Sequence, residues 1–257
     1  MNILLCNDDG IESKGLLTLA EVLSNIGNIF IVAPEGERSS YSHHLTIRGR
    51  VRYERRKVPF AKKAYAVWGT PADCAHFGLK FLIDEKVDLV VSGINRGVNA
   101  STDIIYSGTI AAAREAYIYN VPAMALSLDA SEDTDYFAAA EYGKQISLKY
   151  LNSENCRDFF LNVNVPDLPK EEIKGICICD RVGRMVYHDS YSHTEEGGRD
   201  YIFIHPSYVT FEGDPNDLRI DMTAVKNGYV SVSPMCNDHL NEDHIEDVRR
   251  LIQEGRV

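Results

Sequence analysis

The sequence predicts an α/β protein: a Rossmann-like, three-layer α/β/α fold around a mostly parallel sheet. Short continuous apolar runs, such as residues 2–6 and 87–91, are typical of strands that a parallel sheet buries on both faces. Longer segments between such runs carry apolar residues at helical spacing. Strands that alternate with helices in this way imply a sheet covered by helices on both sides.

The opening of the chain reads as a β-α-β unit. Residues 2–6 form the first strand, and the turn residues of 7–10 end it. Apolar residues at helical spacing over 16–26 predict a helix, which a glycine closes. Residues 28–33 form the second strand, stopped by a proline, and we expect a right-handed crossover between the two strands.

The same alternation continues through the next part of the chain. Strands are predicted at residues 64–68, 87–91, 123–128 and 159–165, and helices at residues 71–83, 109–117 and 134–151. Thr70 suits the N-cap of the second helix, and Pro71 suits its first turn.

The 257 residues are enough for one α/β domain and short for two domains with a linker. We therefore expect a single domain over 1–257, with a Rossmann-like core at 1–170 and a C-terminal extension at 171–257. In the extension, strands are predicted at 175–179, 201–205 and 228–233, and a closing helix at 241–253. These strands either extend the sheet as hairpins or contact a neighbouring subunit.

The formal net charge of -11 bears on the partners that the protein can bind. Nucleic-acid polymers and anionic membranes attract basic surfaces, so neither is expected to bind here. A small anion remains possible where a local cation or a helix N-terminus attracts it. The chain has neither a run of roughly 20 apolar residues nor a secretory signal, so a cytoplasmic protein is expected.

Polar residues gather where the predicted strands end, which is where open parallel sheets bind ligands. Asp8 and Asp9 follow the first strand, and Gly10 permits the break that lets both carboxylates reach one ion. Two adjacent carboxylates favour a hard divalent cation. A turn with an exposed aspartate helix cap is the alternative.

Three further groups follow other strands. Ser39 and Asn95 offer a hydroxyl and an amide oxygen to the same ion, although each residue type is also common in turns and caps. Ser107-Gly108-Thr109 opens a helix whose free N–H groups and dipole suit phosphate oxygens. An N-cap serine without a ligand is the alternative there.

Other sites are disfavoured. No G-x-G-x-x-G follows the first strand, which argues against a nucleotide-dependent oxidoreductase. The sequence contains neither a G-x-S-x-G elbow nor a Ser-His-Asp order, so we infer no covalent nucleophile. His43 and His44 are expected on the surface, and the roles of His188 and His193 stay open.

Several strings in one order resemble the SurE family of survival proteins, which are 5′-nucleotidases. The matching strings are Asn7-Asp8-Asp9-Gly10-Ile11, Arg38-Ser39, Gly69-Thr70-Pro71-Ala72-Asp73-Cys74, Ser92-Gly93-Ile94-Asn95-Arg96-Gly97-Val98-Asn99 and Tyr106-Ser107-Gly108-Thr109, with later matches at 161–166 and 228–232. The likeness covers nearly the whole chain, and its most specific strings lie in the first 130 residues.

The resemblance implies a site and a reaction. It implies one divalent ion per subunit, Mg²⁺ or Mn²⁺, held by Asp8, Asp9, Ser39 and Asn95, of which Asp8, Asp9 and Asn95 are catalytic. It implies substrate contacts from Ser39, Asn99, Ser107, Gly108 and Thr109. The implied reaction is hydrolysis of nucleoside 5′- and 3′-monophosphates. A homodimer or homotetramer built through the exchanged C-terminal extension is implied as well.

Four positions depart from the family pattern, since Ser40, Ser101, Ala111 and Ala116 stand where glycines are usual. The two alanines favour the helix. The two serines bear on the shape of loops near the pocket, and so on the preferred substrate more than on the reaction type. Short-chain exopolyphosphatase or general phosphomonoesterase activity is the alternative among phosphatases. A nucleotide-sensing binding protein is the alternative outside enzymes.

Overall fold

A computed structural model of the chain describes residues 1–130 and 134–237. The strands within these residues are β1 Asn2–Cys6, β2 Asn28–Pro34, β3 Tyr53–Arg56, β4 Ala61–Val67, β5 Leu89–Arg96, β6 Ala123–Leu128, β7 Phe160–Val165, β8 Ile176–Ile178, β9 Arg184–Glu196, β10 Arg199–Glu212 and β11 Val230–Met235. The α-helices are α1 Lys14–Leu23, α2 Pro71–Phe77, α3 Gly108–Ile118, α4 Phe137–Leu151 and α5 Asp221–Lys226.

Nine strands form one sheet in the order β3-β4-β2-β1-β5-β6-β7-β11-β8. The six strands from β4 to β7 run parallel, while β3 and β11 pair antiparallel with their neighbours β4 and β7. Buried residues of α1 and α4 pack on one face of the sheet, and those of α2 and α3 pack on the other. The predicted three-layer α/β/α fold is confirmed.

Local sequence explains where helix α2 begins. The Thr70 hydroxyl accepts a hydrogen bond from the Asp73 N–H, and the Asp73 carboxylate accepts one from the Thr70 N–H. This capping box, with Pro71 in the first turn, confirms the predicted start of α2. The predicted helix over 71–83 changes character at its end, because a π-helical turn follows over Gly78–Leu82.

Several predicted boundaries differ from the structure, and one strand was missed. The strand predicted to end at residue 91 continues to Arg96, with a register shift between Gly93 and Asn95 and a cis peptide bond between Gly93 and Ile94. The helix predicted from residue 134 begins at Phe137. The edge strand β3 was not predicted, since its four residues are charged or aromatic and mostly exposed.

The C-terminal extension contains a long hairpin that stands apart from the main sheet. Strands β9 and β10 pair only with each other, as a two-stranded antiparallel sheet that we call the arm. The short strand predicted over 201–205 lies within the first half of β10. The helix predicted over 241–253 lies outside the described residues.

No helix in the described part of the chain is long and apolar enough to cross a membrane.

Candidate active site

A cavity of about 420 Å³ lies at the carboxyl ends of β1 and β5. It is lined by Asp8, Ser39, Ser40, Asn95, Arg96, Val98, Asn99, Asp103, Tyr106, Ser107, Tyr187 and Asp189. Five residues singled out from the sequence therefore share one cavity, namely Asp8, Ser39, Asn95, Asn99 and Ser107. Asp9, Gly108 and Thr109 are not among the described lining residues, but each contacts a residue that is.

Asp8 is buried and fixed by the first turn of α3. The Thr109 hydroxyl donates a hydrogen bond of 2.6 Å to Asp8 Oδ1. Burial raises the pKa of the Asp8 carboxyl, and the Thr109 hydrogen bond opposes that rise only in part. Gly108 allows α3 to approach, because a Cβ atom there would meet Asp8 Cβ at 3.0 Å. The site thus holds a desolvated carboxylate in one position.

Asp9 follows Asp8 in the chain, and the charge of Asp8 affects the pKa of Asp9. Its Oδ2 accepts a hydrogen bond of 3.3 Å from the Arg96 N–H. Burial raises the pKa of Asp9 to about 6, and the neighbouring carboxylate of Asp8 adds to the rise. The two acidic groups therefore repel each other in a poorly solvated place.

Ser39 reaches the cavity from the loop between β2 and β3. Its hydroxyl donates to Glu37 Oε1 at 2.8 Å, which brings a third carboxylate toward the pair. The charge of Glu37 contributes to the raised pKa values of Asp8 and Asp9. The Arg38 N–H donates to the Asp8 carbonyl oxygen at 2.7 Å, so the loop is tied to the turn after β1.

Asn95 and Asn99 are both held by hydrogen bonds. The Asn95 side-chain N–H donates to the Gly97 carbonyl oxygen at 2.7 Å, and within the described residues its Oδ1 has no hydrogen-bond donor. Asn99 is fixed by two buried asparagines of β7: its N–H donates to Asn164 Oδ1 at 2.7 Å, and its carbonyl oxygen accepts from Asn162 Nδ2 at 2.8 Å. This network positions the loop after β5 at the cavity.

Ser107 caps α3 beside Asp8. Its hydroxyl accepts a hydrogen bond of 3.0 Å from the Ile110 N–H, as an N-cap serine does. The N–H of Ser107 donates to the Asp103 carbonyl oxygen, and the N–H of Thr109 donates to the Asp8 carboxylate. Within the part of the chain that the structure describes, the Gly108 N–H has no partner, so the helix start offers one open donor for an anion.

The histidines have structural contacts. His43 is half-buried rather than on the surface, because its Nε2 binds Glu115 Oε2 at 2.8 Å; His44 is exposed, as expected. His188 bonds to Thr210, and His193 bonds to Asp200, all within the arm. None of these histidines is among the described residues that line the cavity.

Sequence reasoning missed the contribution of the arm. Tyr187 and Asp189 of β9 line the cavity, and the Tyr187 hydroxyl donates to Asp103 Oδ1. Burial raises the pKa of Asp103, and the hydrogen bond from Tyr187 opposes the rise. No spacing in the sequence links β9 to the loop after β5, because the contact depends on where the arm folds.

The oxygen donors of the site fit a hard divalent cation. Asp8 and Asp9 are acidic groups whose repulsion a bound cation would relieve, and the amide oxygen of Asn95 and the hydroxyl of Ser39 are neutral donors of the same kind. Across residues 1–130 and 134–237, no three His, Cys, Asp or Glu side chains form a metal-holding group. The candidate ligands of the site are all oxygen atoms, which are the donors that hard divalent cations prefer.

Comparisons with known proteins show which family the chain belongs to. The family model "Survival protein SurE" matches residues 3–188. The chain is 39% identical to a 5′-nucleotidase SurE of Clostridium botulinum strain 657, with 98% of this chain and 99% of that protein covered. The protein of the same name from strain Alaska E43 is 38% identical, with 98% and 100% covered. The crystal structure of the SurE protein from Aquifex aeolicus superposes with a TM-score of 0.81 at 35% identity, covering 98% of this chain and 100% of that one.

Proposed function

The chain belongs to the survival protein SurE family, and from that premise we propose that it is a divalent-metal-dependent phosphatase of nucleoside 5′- and 3′-monophosphates. Curated relatives named 5′-nucleotidase SurE support the 5′-nucleotidase activity. The observation that carries the proposal is the cavity that joins Asp8, Ser39 and Asn95 to the capped start of α3. The residues proposed to bind the metal ion therefore lie beside an N–H group that can bind phosphate.

Asp8, Asp9, Ser39 and Asn95 would hold one Mg²⁺ or Mn²⁺ ion per subunit. When bound, such an ion neutralises charge on phosphoryl oxygens and activates a water molecule for attack. Because the two carboxylates offset the charge of a divalent ion, attraction of a phosphate to a chain of net charge -11 also needs the Gly108 N–H and the positive end of the α3 dipole.

The residues of the chain bind and orient the phosphate. The open Gly108 N–H donates a hydrogen bond toward the phosphate oxygens, and the positive end of the α3 dipole attracts their charge. Both interactions act where negative charge grows in the transition state. Thr109 keeps Asp8 in place through its hydroxyl. The asparagine network behind Asn99 keeps the loop after β5 at the wall of the cavity.

Phosphate release from a panel of nucleoside monophosphates, with Mg²⁺, Mn²⁺ or EDTA, tests the function on wild type and Asp8→Asn. We expect metal-dependent release that Asp8→Asn reduces to background, while the exposed control Asp158→Asn keeps the wild-type rate. Near-normal turnover of Asp8→Asn with metal would overturn the proposal. Tight binding without turnover would replace it with nucleotide sensing.

The arm is the part of the chain that we propose to form a homodimer or homotetramer. Its apolar side chains are exposed to an unusual degree, with Ile202 at 75% and Ile204 at 62% relative exposure. Exposed apolar patches of this kind mark association surfaces. Light scattering on wild type and Ile202→Asp tests it: we expect the variant to lose mass, and a wild type that is monomeric would refute it.

A further inference from the structure

One stretch of the chain is basic, although the chain as a whole is acidic. Residues 48–63 contain eight Lys and Arg residues and one Glu, a net charge of +7. Subtracting this from the net charge of -11 leaves -18 for the other residues. Because charges are screened beyond about 8 Å at physiological ionic strength, a ligand near this stretch responds to the local cations. The expectation from net charge alone, that large anions are repelled, does not hold here.

The hairpin of β3 and β4 encloses a cavity in the middle of this stretch. The cavity has a volume of about 580 Å³, larger than the 420 Å³ of the candidate active site and in the usual range for small-molecule sites. Five of its eight lining residues are cationic, namely Arg55, Arg56, Lys57, Lys62 and Lys63. The remaining lining residues are small and apolar.

Nearby carboxylates neutralise these cations only in part. Lys62 pairs with Glu85 at 3.2 Å, and Lys63 pairs with both Glu85 and Asp84 at 3.0 Å. These are partly exposed ion pairs of small individual strength, so a multiply charged anion can compete for the lysines.

The arginines of β3 differ from one another. Arg56 pairs with Glu54 at 3.1 Å. The side chains of Arg55 and Lys57 have no ion-pair or hydrogen-bond partner in the part of the chain that the structure describes. The cavity therefore has a surplus of positive charge at two positions, Arg55 and Lys57, that are separated by one residue in the chain.

We propose that this cavity is a second anion site, which binds a small molecule that carries several phosphate groups. Arginine and lysine together suit phosphate, since the guanidinium binds two oxygens in a fixed geometry and the ammonium supplies a compact charge. Five cations around one cavity match a ligand of several charges better than a single orthophosphate. The described lining of the cavity contains no carboxylate, so the lining itself places no anionic group against the ligand.

The new site is separate from the candidate active site. Ala61, which lines it, pairs with Ile29 at the amino end of β2, whereas Val67 pairs with Pro34 at the carboxyl end. The seven residues of β4 span roughly 20 Å between the two edges of the sheet. A ligand in the basic cavity therefore makes no contact with Asp8, and the proposal stands whether or not the chain is a phosphatase.

Isothermal titration calorimetry in EDTA tests the site with inorganic tripolyphosphate, ATP and orthophosphate as probes. We expect saturable binding of tripolyphosphate or ATP, weakened at least 10-fold in the double variant Arg55→Ala/Lys57→Ala. The matched control Arg48→Ala/Arg50→Ala removes the same charge outside the cavity lining and should change the affinity less than 2-fold. All four residues are exposed, so both double variants should fold, which the melting temperature verifies.

Each outcome decides a point. Tighter binding of ATP identifies a nucleotide ligand, and equal affinities identify the phosphate chain as the recognised part; both support the site. Equal losses in the two double variants would mean diffuse charge attraction and would overturn it. Absence of saturable binding to wild type, or binding that Arg55→Ala/Lys57→Ala retains, would also overturn it.

Discussion

Replacing Glu115 with glutamine should destabilise the protein in a pH-dependent manner. Glu115 lies on α3 with a side chain only 4% exposed. It accepts hydrogen bonds from His43 Nε2 at 2.8 Å and from His76 Nδ1 at 3.0 Å. Burial by itself raises the pKa of Glu115, but the hydrogen bonds from the two histidines outweigh it and hold the pKa below its usual value.

The size of the effect follows from these contacts. Glutamine keeps the volume of Glu115 but loses the charge, and hydrogen bonds to a charged group contribute about 1.5–3 kcal/mol. We expect the free energy of unfolding at pH 7 to fall by about 2 kcal/mol, which lowers the melting temperature by roughly 4–8 °C for a chain of this size. A depressed folded pKa means that the stabilisation is complete above the unfolded value of about 4.3. It is lost as the pH falls through the folded value.

Urea unfolding followed by the fluorescence of Trp68, the single tryptophan, measures the effect at pH 7 and at pH 3.5. One protein concentration is used throughout, because association would shift apparent stability. The control is Glu141→Gln, which breaks a helix-surface pair with Lys144 and should cost about 0.2–0.5 kcal/mol. The reasoning fails if Glu115→Gln matches this control, or if its effect is the same at both pH values.

Two backbone positions near the active site give further predictions. Gly108→Ala places a Cβ atom 2.8 Å from Pro71 Cγ and 3.0 Å from Asp8 Cβ, so we expect at least a 10-fold loss of phosphatase rate. The control Gly36→Ala, whose Cβ meets no atom within 4 Å, should keep the wild-type rate. Equal rates in the two variants would refute the argument. Ser40 has a φ of 61°, which favours glycine, so Ser40→Gly should raise the free energy of unfolding by about 0.5–1 kcal/mol in urea titrations; a decrease would contradict the proposed strain.

Much of the fold follows from local patterns in the sequence. The central strands are predictable because each is a short apolar run buried on both faces, as for β6, where the predicted and observed bounds agree. The capping residues Thr70 and Ser107 predict their helix starts because their side chains satisfy the first free N–H groups. These signals are contained within a few residues of one another.

Other elements lack such a signal. Strand β3 is an exposed edge strand, so it carries arginines instead of an apolar run. Strand β5 continues to Arg96 past Gly93, because its pairing with β6 resumes after a register shift that no local pattern reveals. The arm has no buried face to impose an alternating pattern over its full length, so only the apolar segment 201–205 of β10 is recognised as a strand.

The candidate site shows the same division. Asp8, Ser39 and Asn95 were placed together because strand ends of a parallel sheet meet at one edge, and the structure brings all three to one cavity. Glu37 and Tyr187 were not foreseen. The first depends on a loop conformation and the second on the position of the arm, and both are set by contacts between distant parts of the chain.

The separation of these contacts along the chain also sets when the cavity forms during folding. The hydrogen bond between Thr109 and Asp8 joins residues 101 positions apart, and that between Tyr187 and Asp103 joins residues 84 positions apart. Such non-local contacts form slowly, because long loops must close before any contact is gained. Binding of a phosphate ligand at the candidate active site of a refolding chain therefore reports that these two long loops have closed.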